Sequence, residues 1–296
     1  MKKIMRSRKE KETVQEDLLN PDVVVKFGVE TEKLIPMLKK YLIPEEYIHR
    51  IEIVLRSREE FQNAYGEYIF LRNFELMLNE SSSEVSDMIY PCKCEVCGKI
   101  QNMIVPIENP LTGERVLPNW RESIICPECA CSNHLRFFIG KIRKEYEEGM
   151  NVLLYEYGST LYQFVKHYIP DVTACECTGK EYKNIEEGEK VLYENPSALS
   201  FSSERFSLVI ANDLWEKVLD KEGALKEAAR IVKKGGKLIF TTVFNANSLE
   251  THNGVFGWDI LQKLKRYGFS DAYVKADFSI EEGYLGYLPM YFEAVK

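Results

Sequence analysis

The chain has 296 residues, 45% of them hydrophobic, and a formal net charge of −7. That apolar content supports about two packed domains and excludes wholesale disorder. The acidic balance argues against an extended non-specific nucleic-acid surface, and no apolar run approaches the roughly 18 residues of a membrane-spanning helix.

Residues 1–20 read as a flexible basic tail. Met1-Lys2-Lys3-Ile4-Met5-Arg6-Ser7-Arg8 has no apolar stretch behind it to make a secretory signal, so the cytoplasm is the expected compartment. Such a tail can touch an anionic surface or simply be solvated, as termini usually are. Residues 21–88 read as helical. Pro44-Glu45-Glu46 suits a helix start with proline in the first turn, and Ile48, Ile51, Val54 and Leu55 then share a face. A second stripe holds Phe61, Tyr65, Tyr68 and Phe74. Both stripes fit ordinary core packing, and Ser81-Ser82-Ser83 reads as a break.

Six of the eight cysteines follow: Cys92, Cys94, Cys97, Cys126, Cys129 and Cys131. Without an export signal, metal binding is favoured over disulfides. Cys94-Glu95-Val96-Cys97 and Cys126-Pro127-Glu128-Cys129 are two Cys-x-x-Cys hooks. Each brings two thiolates to one ion, and four thiolates close a tetrahedral zinc site. The alternatives are substitution by the flanking Cys92 or Cys131, an iron–sulfur cluster, or thiols with no metal. Turn signals at Asn109-Pro110 and Thr112-Gly113 suit a zinc-ribbon-like module over residues 89–150.

From residue 151 strands alternate with helices. Strands are expected at Val152–Tyr155, Val172–Cys175, Phe206–Ala211, Lys237–Thr241, Ala272–Lys275 and Met290–Val295, with helices at Leu161–His167, Lys221–Val232 and Trp258–Tyr267. Gly235-Gly236 should turn the chain ahead of its strand. This alternation predicts an α/β domain with a mostly parallel sheet covered on both faces. Cys175 and Cys177 flank Glu176; they suit small buried apolar positions, or a redox pair if their side chains are close.

The same half carries a resemblance. Glu227-Ala228-Ala229-Arg230-Ile231-Val232-Lys233-Lys234-Gly235-Gly236-Lys237-Leu238 resembles the "E-x-x-R-V-L-K-P-G-G-x-L" segment of class I S-adenosylmethionine-dependent methyltransferases of the type 11-like kind. Leu199-Ser200-Phe201 with Phe206-Ser207-Leu208-Val209-Ile210 is similar to their "L-x-F-x-x-x-x-F-D-L-V", and Asp213-Leu214-Trp215-Glu216-Lys217-Val218 to their "D-V-L-E-H-V". Asn119-Trp120-Arg121-Glu122, Cys126–Cys129 and Asn133-His134-Leu135-Arg136 resemble a cysteine-rich segment that precedes some of these enzymes. The first loop keeps only Glu156-x-Gly158 of "D/E-x-G-x-G-x-G"; Asn195 replaces an Asp, Lys217 a His and Val243 a Pro.

The resemblance implies a Rossmann-like methyltransferase domain over 151–296 that binds S-adenosylmethionine beyond the carboxyl ends of its strands. Glu156, Tyr157 and Gly158 would lie against the methionine part of the cofactor, Glu176 with Cys177 beside it at the ribose, Glu194 and Asn195 at the adenine, and Asn212 on the substrate side. Asp213 and Glu216 are the candidate general bases for an acceptor that starts protonated. Tyr157 and Trp215 would stack on ligand or pack in the core. His134 and Arg136 would bind an acidic substrate or nucleic acid, or else pack on the zinc module or pair with surface acids, and His49, His167 and His252 form no metal or triad pattern. The implied function is methyl transfer to a small-molecule, glycan or macromolecular acceptor, with a structural zinc and a possible protein partner at the zinc module. Acidity makes nucleic acid the less favoured acceptor. The alternative is a methyltransferase fold kept as a binding or scaffold subunit.

Overall fold

The computed structural model describes residues 50–82, 88–182, 191–280, 282–286 and 289–296. The basic tail, the helix start at Pro44, Ile48, His49 and Ser83 lie outside them. The chain divides into two compact units, one holding residues 67–137 and 278–289, the other residues 52–66, 138–277 and 290–296.

The second unit is built on a sheet whose central strand β7 (Phe206–Ala211) is buried at every position. A continuous apolar run is what a strand covered on both faces requires. β4 (Val152–Leu154) pairs parallel with β7 and with β5 (Thr173–Glu176), and β6 (Leu192–Tyr193) extends that side. On the other side β8 (Val232–Phe240) runs parallel to β7. β10 (Met290–Val295) lies antiparallel between β8 and β9 (Asp271–Phe278). With β1 (Ile51–Leu55) at the edge, the order is β1-β9-β10-β8-β7-β4-β5-β6. Chain direction across the sheet reverses between β4 and β7. That switch point is where a doubly wound sheet opens a crevice at its strand C-termini.

The helices of this unit bury one face each. α1 (Arg58–Glu67) buries Phe61 and Ala64. α4 (Thr160–Tyr168) buries Leu161, Tyr162 and Val165, and α5 (Lys221–Ile231) buries Ala224, Leu225, Ala228, Ala229 and Ile231. α6 (Asp259–Arg266) buries Ile260, Leu261 and Leu264. Asp220 caps α5 by accepting the Gly223 amide at 2.8 Å, and Ser159 caps α4 by accepting the Tyr162 amide at 3.0 Å.

The first unit contains α2 (Ile69–Ser82) and a hairpin of β2 (Met88–Cys94) with β3 (Lys99–Val105). A bridge from Ile104 to Ile125 brings the second cysteine hook beside the hairpin. Leu71, Phe74, Tyr90, Met103, Trp120, Ile124, Phe137 and Tyr284 are among its buried side chains. Residues 133–137 open α3 (Asn133–Glu145).

Three expectations need correction. Ile51–Leu55 is a strand, not part of a helical stripe. Ile51-Glu52-Ile53-Val54-Leu55 alternates with a period of two, and its β-branched residues favour the pleated backbone. Gly235-Gly236 does not turn the chain ahead of the strand but sits inside β8. Phe206 pairs with Val232 while Leu208 pairs with Lys237, so the glycines absorb a register shift. Gly235 has φ +74°, and a Cβ on Gly236 would stand 2.8 Å from the Ser207 carbonyl oxygen. α3 is a helix that the reading of residues 89–150 as a ribbon does not anticipate. Among the described residues no helix is long and apolar enough to cross a membrane.

Candidate cofactor crevice and metal centre

In the first unit the two hooks fold into matching turns. The Gly98 amide donates to the Cys94 carbonyl at 2.7 Å, and the Ala130 amide to the Cys126 carbonyl at 2.8 Å. Gly98 and Ala130 both take positive φ, +72° and +57°, the conformation that turns the chain back after the second cysteine. The Sγ atoms of Cys94, Cys97, Cys126 and Cys129 all lie within 4.8 Å of one another. Cys94 to Cys129 and Cys97 to Cys126 are each 3.8 Å. A tetrahedron with zinc–sulfur bonds of about 2.3 Å has edges of about 3.8 Å. Cys92 and Cys131 are buried outside this cluster.

The thiols cannot all ionise unaided. Hydrogen bonds from Cys129 and Cys94 hold Cys126 down to about 2, while burial pushes Cys97 up to about 12. Hydrogen bonding to Cys126 pushes Cys94 and Cys129 up as well. A divalent cation supplies the charge that four clustered thiolates need.

His134 and Arg136 are buried in this unit. Arg136 donates to the Glu282 carbonyl at 2.7 Å, and His134 Nε2 is 3.1 Å from Arg121. They pack on the module, as the packing alternative expects.

In the second unit the chain leaves β4 through Tyr155, Glu156, Tyr157 and Gly158 and enters α4. The Tyr157 amide donates to the Cys175 carbonyl at 3.1 Å. Gly158 has φ +68°, which a side chain would strain. Among the described residues Glu156 Oε2 is buried with no hydrogen-bond partner. Burial pushes the Glu156 carboxyl up to about 7; Lys217 and a hydrogen bond with Asn212 oppose the rise, and Asp213 and Glu176 add to it. Thus side chains from the ends of β4, β5 and β7 converge around one under-satisfied carboxyl.

Glu176 ends β5 and is buried. Its Oε1 accepts the Thr178 amide and hydroxyl, each at 2.5 Å, and its Oε2 is 3.4 Å from the Tyr182 hydroxyl. Tyr182 also donates to the Tyr157 carbonyl, and its ring stands edge-on to the Tyr157 ring at 5.0 Å. A Cβ on Gly158 would meet that ring at 2.4 Å. The chain's own tyrosine therefore lies on the glycine of the first loop.

The other expected residues are placed as follows. Glu194 binds Ser200 through its amide, at 2.8 Å, and its hydroxyl. Asn195 accepts the Ser197 amide at 3.0 Å. Both side chains thus hold the turn after β6. Asn212 accepts from Thr241 at 3.0 Å. Asp213 sits at φ +43°, its amide bonded to the Thr241 carbonyl and hydroxyl, each at 3.1 Å. Glu216 accepts the Thr242 hydroxyl at 3.1 Å. Trp215 is fully buried against Tyr155 and Phe240 and belongs to the core. Cys175 and Cys177 place their Sγ atoms 3.6 Å apart. Sequence reasoning missed Thr178, Tyr182 and the influence of Lys217 on Glu156. Lys217 stands in the recognised segment; Thr178 and Tyr182 have no pattern that marks them.

Residues 157–240 match the family model described as a methyltransferase domain. No curated protein sequence matches the chain. Among solved structures it is similar to a SAM-dependent methyltransferase from Thermotoga maritima, at 17% identity and TM-score 0.41, covering 55% of this chain and 90% of that one. It is also similar to a Haloferax volcanii complex of a methyltransferase activator with a candidate methyltransferase, at 15% identity and TM-score 0.39, covering 50% and 83%. A third is a Haemonchus contortus phosphoethanolamine N-methyltransferase with S-adenosylhomocysteine bound, at 16% identity and TM-score 0.39, covering 55% and 52%. The α/β half of this chain carries the methyltransferase-domain pattern on a Rossmann-like sheet.

Proposed function

We propose that the α/β half is an S-adenosylmethionine-dependent methyltransferase and that the four clustered thiols hold a structural zinc ion. The observation that carries the first part is the Oε2 of Glu156, buried and without a hydrogen-bond partner among the described residues, at the switch point of the sheet. A carboxyl kept near neutrality by burial favours a cation arriving beside it, and the cofactor's methionine amine is one. Gly158 has no side chain, so its backbone allows close approach once Tyr182 moves off it, and Glu176 suits the ribose hydroxyls through Oε2 in place of Tyr182, with Thr178 holding Oε1.

When bound, S-adenosylmethionine supplies a sulfonium methyl group for in-line displacement. The chain's part is to orient the acceptor and exclude water. Asn212 and Asp213 stand on the acceptor side. Asp213 and Glu216 are the candidate bases for a protonated acceptor, and Glu216 also accepts the Thr242 hydroxyl. The acceptor is read as a small molecule or glycan in preference to nucleic acid, the compartment as the cytoplasm, and the zinc module as a place for a protein partner to dock.

Calorimetric titration with S-adenosylhomocysteine tests this reading. Micromolar binding is expected, and absence of heat at millimolar ligand would overturn it. One observation favours a second reading, a scaffold subunit with a closed crevice: Tyr182 fills the space above Gly158. Tyr182→Ala separates the two. The enzyme reading expects binding by the wild type and tighter binding by this variant, the scaffold reading no binding by the wild type.

A further inference from the structure

β5 ends Thr173-Ala174-Cys175-Glu176, and Cys177 follows. Strand alternation puts the two cysteines on one side with Glu176 between them. Their Sγ atoms are 3.6 Å apart, Cys175 buried and Cys177 half-buried. We infer that Cys175 and Cys177 are a modification site, a dithiol that closes to a reversible disulfide and thereby repositions Glu176. The consequence for cofactor binding rests on the reading above.

The geometry supplies the coupling. Two residues of strand advance about 6.6 Å, while disulfides span Cα separations of about 4.4–6.8 Å. The pair therefore reaches the bond from the upper limit. Closing the sulfur gap from 3.6 Å to about 2.05 Å draws Cys177 back toward Cys175. Glu176 is the one residue between them and must absorb the movement. Its Oε1 holds the Thr178 amide and hydroxyl, with the Lys180 amide at 3.4 Å. A shift at Cys177 strains that grip.

The half-buried Cys177 is the entry point. Its thiolate attacks a low-molecular-weight disulfide such as oxidised glutathione, forms a mixed disulfide and releases one glutathione thiolate. Cys175 then loses its proton and attacks Cys177 Sγ, breaking the mixed disulfide and releasing the second glutathione. Two electrons and two protons pass from the pair to the oxidant. The hydrogen bond with Cys177 and burial both push the Cys175 thiol up, which makes the second step the slower one.

The test uses the full chain saturated with zinc, incubated with oxidised or reduced glutathione, then acid-quenched and alkylated. The expected result is that the peptide holding both residues loses two hydrogen atoms and escapes alkylation on oxidation, and that dithiothreitol reverses this. Amide exchange at Thr178 should rise, and affinity for S-adenosylhomocysteine should fall at least tenfold, with no redox response in Cys175→Ala. Equal alkylation of both residues in the two conditions overturns the site. A disulfide with unchanged exchange at Thr178 overturns the coupling. Should the chain bind no S-adenosylhomocysteine, the methyltransferase reading fails, while disulfide mapping and exchange at Thr178 still decide this inference.

Discussion

Glu156 is the residue at which sequence, burial and charge meet. Its folded-state carboxyl titrates near 7 against an ordinary 4.5, because burial disfavours the anion. The folded chain keeps a proton that the unfolded chain sheds. Stability should therefore fall as pH rises from about 4.5 to about 7 and stay reduced above that window. Removing the charge in Glu156→Gln should raise stability at pH 8 by up to about 3 kcal/mol, read as a higher urea midpoint. A ligand amine that pairs with Glu156 must also displace its proton. Calorimetry near pH 6 in buffers of different ionisation heat should register proton release in the wild-type chain and none in Glu156→Gln. Equal release by both proteins would remove Glu156 from the amine site. The position of Glu156, Gly158 and Glu176 at the strand ends was legible because the recognised pattern numbers them from there; their role in binding is a proposal. The position of Tyr182 was not legible, because only the path of the chain after β5 brings it back over Gly158.

At the scale of elements, patterning succeeded where a strand is mostly apolar and failed where local preference and tertiary pairing compete. β7 and α5 read correctly: one is an apolar run interrupted by Ser207, the other a helical stripe behind an Asp cap. Asp220→Ala should cost about 1 kcal/mol by freeing the Gly223 amide, measured by urea denaturation. β1 failed because five residues fit both a helical stripe and a half-buried strand, and pairing beside β9 decides between them. The glycine pair in β8 failed for a different reason. Glycine marks both turns and places where backbones approach closely, and here Gly236 faces the Ser207 carbonyl. Gly236→Ala should destabilise by about 1–3 kcal/mol, since the crowding atom is backbone and cannot rotate away. The cysteine hooks were legible from spacing alone, because a two-residue gap is what lets one turn present both thiols. Chelation should release one metal ion per chain and abolish amide protection in β2 and β3. Protection that survives complete metal removal would show that the hairpin stands without the ion.

Across the whole molecule, the chain joins a cysteine-clustered unit to a doubly wound sheet, and the functional reading depends on the second. The order of its strands puts the switch point between β4 and β7, and Glu156, Glu176, Asn212 and Asp213 stand at or just beyond the strand ends around it. Fold alone does not decide what enters, since one fold hosts many functions. On the proposed reading, Glu156 would take a cationic amine and Glu176 vicinal hydroxyls. The most direct measurement is calorimetric titration of the full chain with S-adenosylhomocysteine, beside the Glu176→Ala variant. The account predicts one micromolar site in the wild type, weakened at least tenfold in the variant. No binding at millimolar ligand, or equal affinity in the two proteins, would contradict it.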